Sequence, residues 1–364
     1  MRVIISGGGT GGHIFPAISI ANAIREQQPN AQILFVGAQG KMEMEKVPAA
    51  GYDIVGLPVA GFQRRLTFKN ITFFFKLAAS LLKARKVIST FQPDVVVGVG
   101  GYASGPVLRM ALRKRIPALI QEQNSFPGVT NRILSSKVNT ICVAYSGMER
   151  FFPAEKIVLT GNPIRQELLK PIDIEAARAH FGLRSDLKTV LVIGGSLGAR
   201  SINEGVLAGI DLFVQNNVQV VWQTGKLYFS QIKQSLDNKD VADLIKMNDF
   251  VSRMDLAYAC ADVVISRAGA SSISEIALLG KAAIFVPSPN VSEDHQTKNA
   301  LALVNNEAAV LVKDVDSKQI ANVAIDLLSD ADKLSAMRSK VLTMAYPNAS
   351  QQIADEVFKL ANKK

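Results

Sequence analysis

Near the start of the chain, Gly7-Gly8-Gly9-Thr10-Gly11-Gly12-His13 brings backbone amides, a hydroxyl and an imidazole together. Glycines let a ligand or another backbone come close, and a histidine can move a proton near neutral pH. A second run, Ser266-Arg267-Ala268-Gly269-Ala270-Ser271-Ser272-Ile273-Ser274-Glu275, offers hydroxyls, amides and a carboxylate. One reading makes the serines helix caps, with Glu275 in the first turn favouring the helix dipole. The other puts those hydroxyls and amides on a diphosphate and Glu275 on ribose hydroxyls. Polar clusters recur at strand ends along this chain, and ligands bind at the carboxyl ends of parallel strands, which favours the second reading.

Both runs need a strand behind them and a helix ahead. Val3, Ile4 and Ile5 precede the first glycines, and Ile14, Ile18, Ala21 and Ile24 follow at helical spacing. The pattern predicts strand, glycine loop and helix, the helix N-terminus turning its partial positive charge to the loop. Further strands are predicted near Gln32–Val36, Ile54–Leu57, Asp94–Val99, Ala118–Gln121, Thr140–Ala144 and Ile157–Thr160. A second series is predicted near Thr189–Ile193, Gln219–Gln223, Asp249–Val251, Asp262–Ser266, Ala282–Val286 and Ala309–Val312. Valine and isoleucine fill these runs with little alternation, as in strands covered on both faces. TVLVIGGSLGARSINEGV repeats the opening pattern, and LTGNPIRQELLKP lies between the halves. The expected fold is α/β: two Rossmann-like domains with parallel sheets facing across a cleft, residues 1–163 and 164–345. A helix at about 346–364 is expected to return to the first domain.

Composition narrows the function. A chain of 364 residues, 48% hydrophobic, suits about two domains with substantial cores. Cys142 and Cys260 sit in apolar strand-like runs without metal-ligand spacing, so both are expected to be buried free thiols in a reducing compartment. Glycines interrupt the first apolar run, so no signal peptide is expected, and no apolar run of about 18 residues spans a bilayer. The histidines at 13, 180 and 295 lack paired ligand spacing, so no metal is expected. Asp314-Val315-Asp316 precedes a helix and is expected to cap it. The net charge is +10, and Gly61–Ile88 holds seven basic residues and no acidic one, interleaved with phenylalanine and leucine. That mixture suits an anionic membrane surface better than nucleic acid. The plainer reading is a core helix with a wet basic face.

Two other chemistries fit less well. Gly7, Gly9 and Gly12 satisfy G-x-G-x-x-G, but the acid that would hold a ribose is absent from LFVGAQG after the second strand. His13-Ile14 stands where a Walker A loop needs Lys-Ser/Thr. Gly194–Gly198 matches the G-x-S-x-G elbow, with Asp262, Glu275 and His295 in α/β-hydrolase order. That elbow belongs mid-sheet in one large domain, and it leaves the opening loop without a task.

Taken in order, GGGTGGH at 7–13, GGYASGP at 100–106, EQNSFPGVTNR at 122–132, TGNPIR at 160–165, GGSLGAR at 194–200, SRAGASSISE at 266–275 and DHQTKNA at 294–300 resemble the MurG family. These are bacterial peptidoglycan glycosyltransferases with a GT-B fold. The resemblance implies an inverting transfer of N-acetylglucosamine from UDP-GlcNAc to lipid I, undecaprenyl-diphospho-muramoyl-pentapeptide, giving lipid II. It further implies work done peripherally at the cytoplasmic side of the inner membrane. By motif position it implies donor contacts from Thr10, Gly11, Gly12, Asn124, Arg165, Ser196, Val251 (through its backbone), Ala270, Ser271, Ser272, Ser274, Glu275 and Gln296. Acceptor contacts would come from Gly100, Gly101, Tyr102 and Glu122. Membrane contacts would come from Phe62, Arg64, Arg65, Leu66, Phe68, Lys69, Phe73, Phe74 and Lys76.

His13 would be the base toward the acceptor hydroxyl. Departing UDP would be stabilised by Arg165, Ser196 and helix amides rather than a metal, with no cofactor. Other cell-wall synthesis and division proteins are further implied partners; nucleic acid is not. The chain departs from the family pattern at Gln121, where histidine is common, at Leu197, where glutamine is common, and at His295. The alternatives are another GT-B sugar-nucleotide enzyme, such as a glycolipid transferase or an epimerase, and a membrane module that holds the nucleotide sugar without turnover.

Overall fold

The computed structural model describes residues 1–59, 69–195, 197–237, 239–291 and 294–362, without the side chains of 69–72, 74 and 166. The chain divides into two units, Met1–Arg165 with Tyr346–Lys364, and Gln166–Ala345.

The first unit holds β1 (Arg2–Ser6), β2 (Gln32–Ala38), β3 (Asp53–Leu57), β4 (Val95–Gly98), β5 (Ala118–Glu122), β6 (Thr140–Val143) and β7 (Ile157–Leu159). They form a parallel sheet in the order β3-β2-β1-β4-β5-β6-β7. The missing alternation in β1 has a direct cause. Val3 and Ile5 enter the core under the helix Gly11–Gln27, while Ile4 enters the opposite core with Ala84, Ile88, Val107 and Leu108. All three are fully buried, so each contributes about 1.5–3 kcal/mol of apolar burial. The helix Ala349–Ala361 closes the first of these cores, burying Ile353, Ala354, Val357 and Leu360 beside the helix Gly11–Gln27. Gly161 admits this return: its φ is +79°, and a Cβ there would lie 2.2 Å from Cβ of Tyr346.

The second unit holds β8 (Thr189–Ile193), β9 (Gln219–Gln223), β10 (Ile245–Asn248), β11 (Val263–Ser266), β12 (Ala282–Phe285) and β13 (Val310–Leu311). Their order is β10-β9-β8-β11-β12-β13, again parallel. Val190 and Val192 feed one core, Leu191 and Ile193 the other. In both sheets the order reverses beside the first strand, between β1 and β4 and between β8 and β11. Doubly wound sheets bind ligands at the carboxyl ends beside such switch points.

Three expectations are corrected. The strand predicted at Asp249–Val251 is β10, Ile245–Asn248. It is an edge strand whose Lys246, Met247 and Asn248 are only half buried, so it lacks the apolar run of its neighbours. Cys260 ends the helix Met254–Cys260 rather than lying in a strand, although both cysteines are free and buried. Asp314 caps nothing, since its Oδ1 accepts from Ser201 Oγ at 2.5 Å and from Arg267 Nη1 at 2.5 Å.

Candidate active site

At the first switch point the loops after β1 and β4 touch backbone to backbone. Gly101, with φ +81°, leaves no space for a side chain, because a Cβ would lie 2.2 Å from the Gly8 carbonyl oxygen. On Gly7 a Cβ would meet Val99 Cγ2 at 2.2 Å. Packing therefore accounts for these glycines. Gly9 differs, for a Cβ there would meet nothing within 4 Å. Its open side is where a ligand can approach.

Thr10 follows in an extended conformation and precedes the helix Gly11–Gln27. His13 stands in that helix's first turn, with Nδ1 3.1 Å from Thr10 Oγ1. Its ring lies against Gly100, where a Cβ would come within 2.9 Å of both Cδ2 and Nε2. The imidazole is thus held by a hydroxyl on one side and flanked by bare backbone on the other.

Behind β4 and β5 lies a buried polar network. Gln123 Nε2 donates to the Val99 carbonyl at 2.7 Å and to Gln121 Oε1, while Gln121 Nε2 donates to Asn162 Oδ1 at 3.1 Å. Asn162 Nδ2 in turn donates to the Gln123 carbonyl at 3.0 Å. Glu122, 2% exposed, accepts from Asn124 N and Nδ2, Gly128 N and Asn131 Nδ2 at 2.8–3.2 Å. Burial holds its carboxyl pKa above the usual carboxylate range, and the four N–H donors offset only part of that rise. Arg165 places its guanidinium 5.7 Å from the centre of the Phe15 ring.

The second switch point repeats this plan with different chemistry. Gly198 and Gly225 pack the loops after β8 and β9 together, a Cβ on Gly225 lying 2.4 Å from Gly198 N. Gly195 is the open position here, with nothing within 4 Å. Buried Gln223 joins the loops: Nε2 donates to the Gly195 carbonyl at 2.9 Å, and Oε1 accepts from Val251 N at 2.8 Å. Arg267 Nη1 donates to the Val286 carbonyl at 2.9 Å as well as to Asp314, fixing the end of β11 against that of β12.

The helix Ala270–Leu278 follows with Gly269 at its cap position and no side-chain cap. Ser274 Oγ bonds back to the Ala270 carbonyl at 2.9 Å. Glu275 is 6% exposed and accepts from Tyr258 OH at 3.1 Å. Gln296 Oε1 accepts from Ser288 N at 2.8 Å, tying its helix to the loop after β12. Among the described residues no group of three histidine, cysteine or carboxylate side chains is placed to hold a metal ion.

Residues 3–143 match the glycosyltransferase family 28 N-terminal domain, and residues 189–353 match the C-terminal domain of the same family. A Bacteroides fragilis protein is 56% identical across all of this chain and 96% of its own length. It is named UDP-N-acetylglucosamine--N-acetylmuramyl-(pentapeptide) pyrophosphoryl-undecaprenol N-acetylglucosamine transferase, as is a Parabacteroides distasonis protein 55% identical over all of this chain and 99% of its own. The chain belongs to this transferase family. The crystal structure of Acinetobacter baumannii MurG is 29% identical, with a TM-score of 0.78 over 98% of this chain and 99% of that one. A Neisseria meningitidis UDP-GlcNAc 2-epimerase shares the fold alone, at 14% identity and a TM-score of 0.70 over 99% of this chain and 100% of its own.

Thr10, Gly11, Gly12, His13, Gly100, Gly101 and exposed Tyr102 gather at the first switch point, in one unit with Asn124 and Arg165. Val251, Ala270–Glu275 and Gln296 lie at strand ends of the second unit. Ser196 lies outside the described residues. Glu122, expected at the acceptor, is buried and bonded to Asn124, Gly128 and Asn131, which follow it in the chain. Glu275 is in the second turn, and no serine caps its helix. Val251 donates its N–H to Gln223 Oε1. Gln121 is a packing residue of a buried network, whereas Leu197 is 70% exposed.

Sequence reasoning missed Gln223 and Glu43. Gln223 shows no signal beyond a polar residue ending an apolar strand. Glu43 has one: it follows β2 closely, in the neighbourhood where an acid for a ribose was sought and not found.

Proposed function

We propose that the first unit binds lipid I and supplies the base His13, while the second binds UDP-GlcNAc. The chain is an N-acetylglucosaminyltransferase of peptidoglycan synthesis, moving N-acetylglucosamine from UDP-GlcNAc to lipid I. The full-length likeness to transferases of that name carries this reading. In this reading His13 accepts the proton of the sugar hydroxyl as that oxygen attacks the anomeric carbon. UDP leaves from the opposite face, stabilised by helix-terminal amides and Ser196 of the second unit. No metal takes part. Purified protein is expected to release UDP from UDP-GlcNAc only when a lipid I analogue is added, and to do so after exhaustive chelation. Release without acceptor would favour a hydrolase or an epimerase-like enzyme, and loss restored by Mg²⁺ would contradict the metal-free step.

The same reading brings the protein to an anionic membrane. Each buried methylene is worth about 0.8 kcal/mol, so a polyprenyl chain does not leave the bilayer cheaply. The helix Lys69–Phe91 buries Ser80, Ala84 and Ile88 on one side and exposes Phe75 (73%) and Leu82 (68%), two turns apart, with Lys76, Arg85 and Lys86 also exposed. Phe73 is half buried; Phe62, Arg64, Arg65, Leu66 and Phe68 lie outside the described residues, as do the side chains of Lys69 and Phe74. No helix among the described residues is long and apolar enough to cross a membrane. Phe75→Ser with Leu82→Ser, or charge reversal at Arg64, Arg65 and Lys69, is expected to abolish co-sedimentation with anionic vesicles and spare UDP-GlcNAc binding. Each basic residue adds about 1 kcal/mol near such a surface, and salt weakens it. Equal pelleting of variants and wild type at low salt would leave the helix only its core role. Docking to other cell-wall synthesis and division proteins at this peripheral, cytoplasmic face belongs to the same proposal.

A further inference from the structure

The first glycine loop already contains an anion of its own. Glu43, the first residue of the helix Glu43–Ala49, is 1% exposed. Both its carboxylate oxygens accept from Gly9 N at 3.1 Å, and Oε1 also accepts from Ala38 N at 2.9 Å. Two glycines make room for it. A Cβ on Gly8 would lie 2.1 Å from Glu43 Oε1, and one on Gly37 would lie 2.6 Å from Glu43 Cγ. The carboxylate is therefore built into the end of β2 and the loop after β1, not left over from surface charge.

The second unit handles the equivalent contact differently. There the loop after β8 is held through its Gly195 carbonyl by neutral Gln223. One loop is pinned by a charge on its amide, the other by an uncharged donor on its carbonyl.

We propose that Glu43 is a positioning residue for the transfer reaction, acting on the base through the loop. By holding Gly9 N–H it fixes the residue before Thr10, whose hydroxyl holds His13 Nδ1. Gly8, pressed by Glu43 on one side, is met by Gly101 on the other, and Gly100 then backs the His13 ring. Glu43, Gly9, Thr10 and His13 form one contiguous chain of contacts, so a slack loop becomes a misplaced imidazole. The inference rests on the reading of His13 as the base.

Glu43→Gln keeps the shape but turns an amide donor toward backbone N–H groups. Turnover is expected to fall on the order of 10²-fold, the scale of a misplaced catalytic group, with KM and calorimetric affinity for UDP-GlcNAc unchanged. Glu43→Asp, one methylene short of reaching both amides, carries the same comparison if the glutamine variant does not fold. Residues acting through one another are non-additive, so His13→Ala with Glu43→Gln should be no slower than His13→Ala alone. Wild-type turnover in the folded variant, a matching loss of donor affinity, or multiplied defects in the double variant would overturn the role of Glu43 while leaving the base in place. Full turnover in His13→Ala would overturn the base and this proposal together.

Discussion

His13→Ala is expected to lower turnover by about 10²–10⁴-fold while UDP-GlcNAc binds as before, because a positioned general base is worth that much in rate. The expectation follows from placement. The ring is held at Nδ1 by Thr10 and lies against bare backbone at Gly100, so its orientation is set before any acceptor arrives. Donor affinity is predicted to be indifferent because the donor contacts proposed for the second unit do not involve this ring. Steady-state rates at saturating substrates, with calorimetry of UDP-GlcNAc, separate the two quantities. A variant that retains more than about a third of wild-type turnover would leave His13 a loop residue and nothing more, far short of a base's contribution.

Gly101→Ala is expected to destabilise the first unit strongly for a single added methyl group. The alanine would have to adopt φ +81° with its Cβ 2.2 Å from the Gly8 carbonyl oxygen, so strain and overlap add. Left-handed backbone costs a non-glycine residue about 1–2 kcal/mol, and an overpacked contact adds about 1–3 kcal/mol. The neighbouring glycine provides a control. Gly9→Ala bears the backbone term alone, because its Cβ position is open, so it should lose only about 1–2 kcal/mol. Chemical denaturation of the two variants measures the difference. Equal losses would mean the loops after β1 and β4 are not in contact as described.

The contrast between those glycines also shows what the sequence could tell and what it could not. Valine and isoleucine runs located the central strands because burial on both faces removes alternation, and the cores under Val3, Ile4 and Ile5 confirm that cause. β10 escaped because an edge strand tolerates Lys246 and Asn248, which weakens its apolar signature. The glycine loops were legible as places of close approach, but not which approach each served: Gly101 admits Gly8, Gly195 faces open space. Apart from its place soon after β2, Glu43 did not stand out, because a buried carboxylate looks, in sequence, like any acid early in a helix. Its partners are backbone amides, and one-letter patterns do not display those. Serines before a helix suggested caps at Ser271 and Ser272, whereas Gly269 takes that position and the serines continue the helix.

The return of the helix Ala349–Ala361 to the first unit has a consequence for synthesis. The face of the helix Gly11–Gln27 that carries Ile14, Ala17, Ala21 and Ile24 finishes its core with Ile353, Ala354, Val357 and Leu360. Roughly 180 residues of the second unit, Gln166–Ala345, are made in between. At about 5–20 residues per second the ribosome takes roughly 10–40 s over them. For that interval the helix that carries His13 keeps an apolar flank open to chaperones, so the first unit begun is the last one sealed.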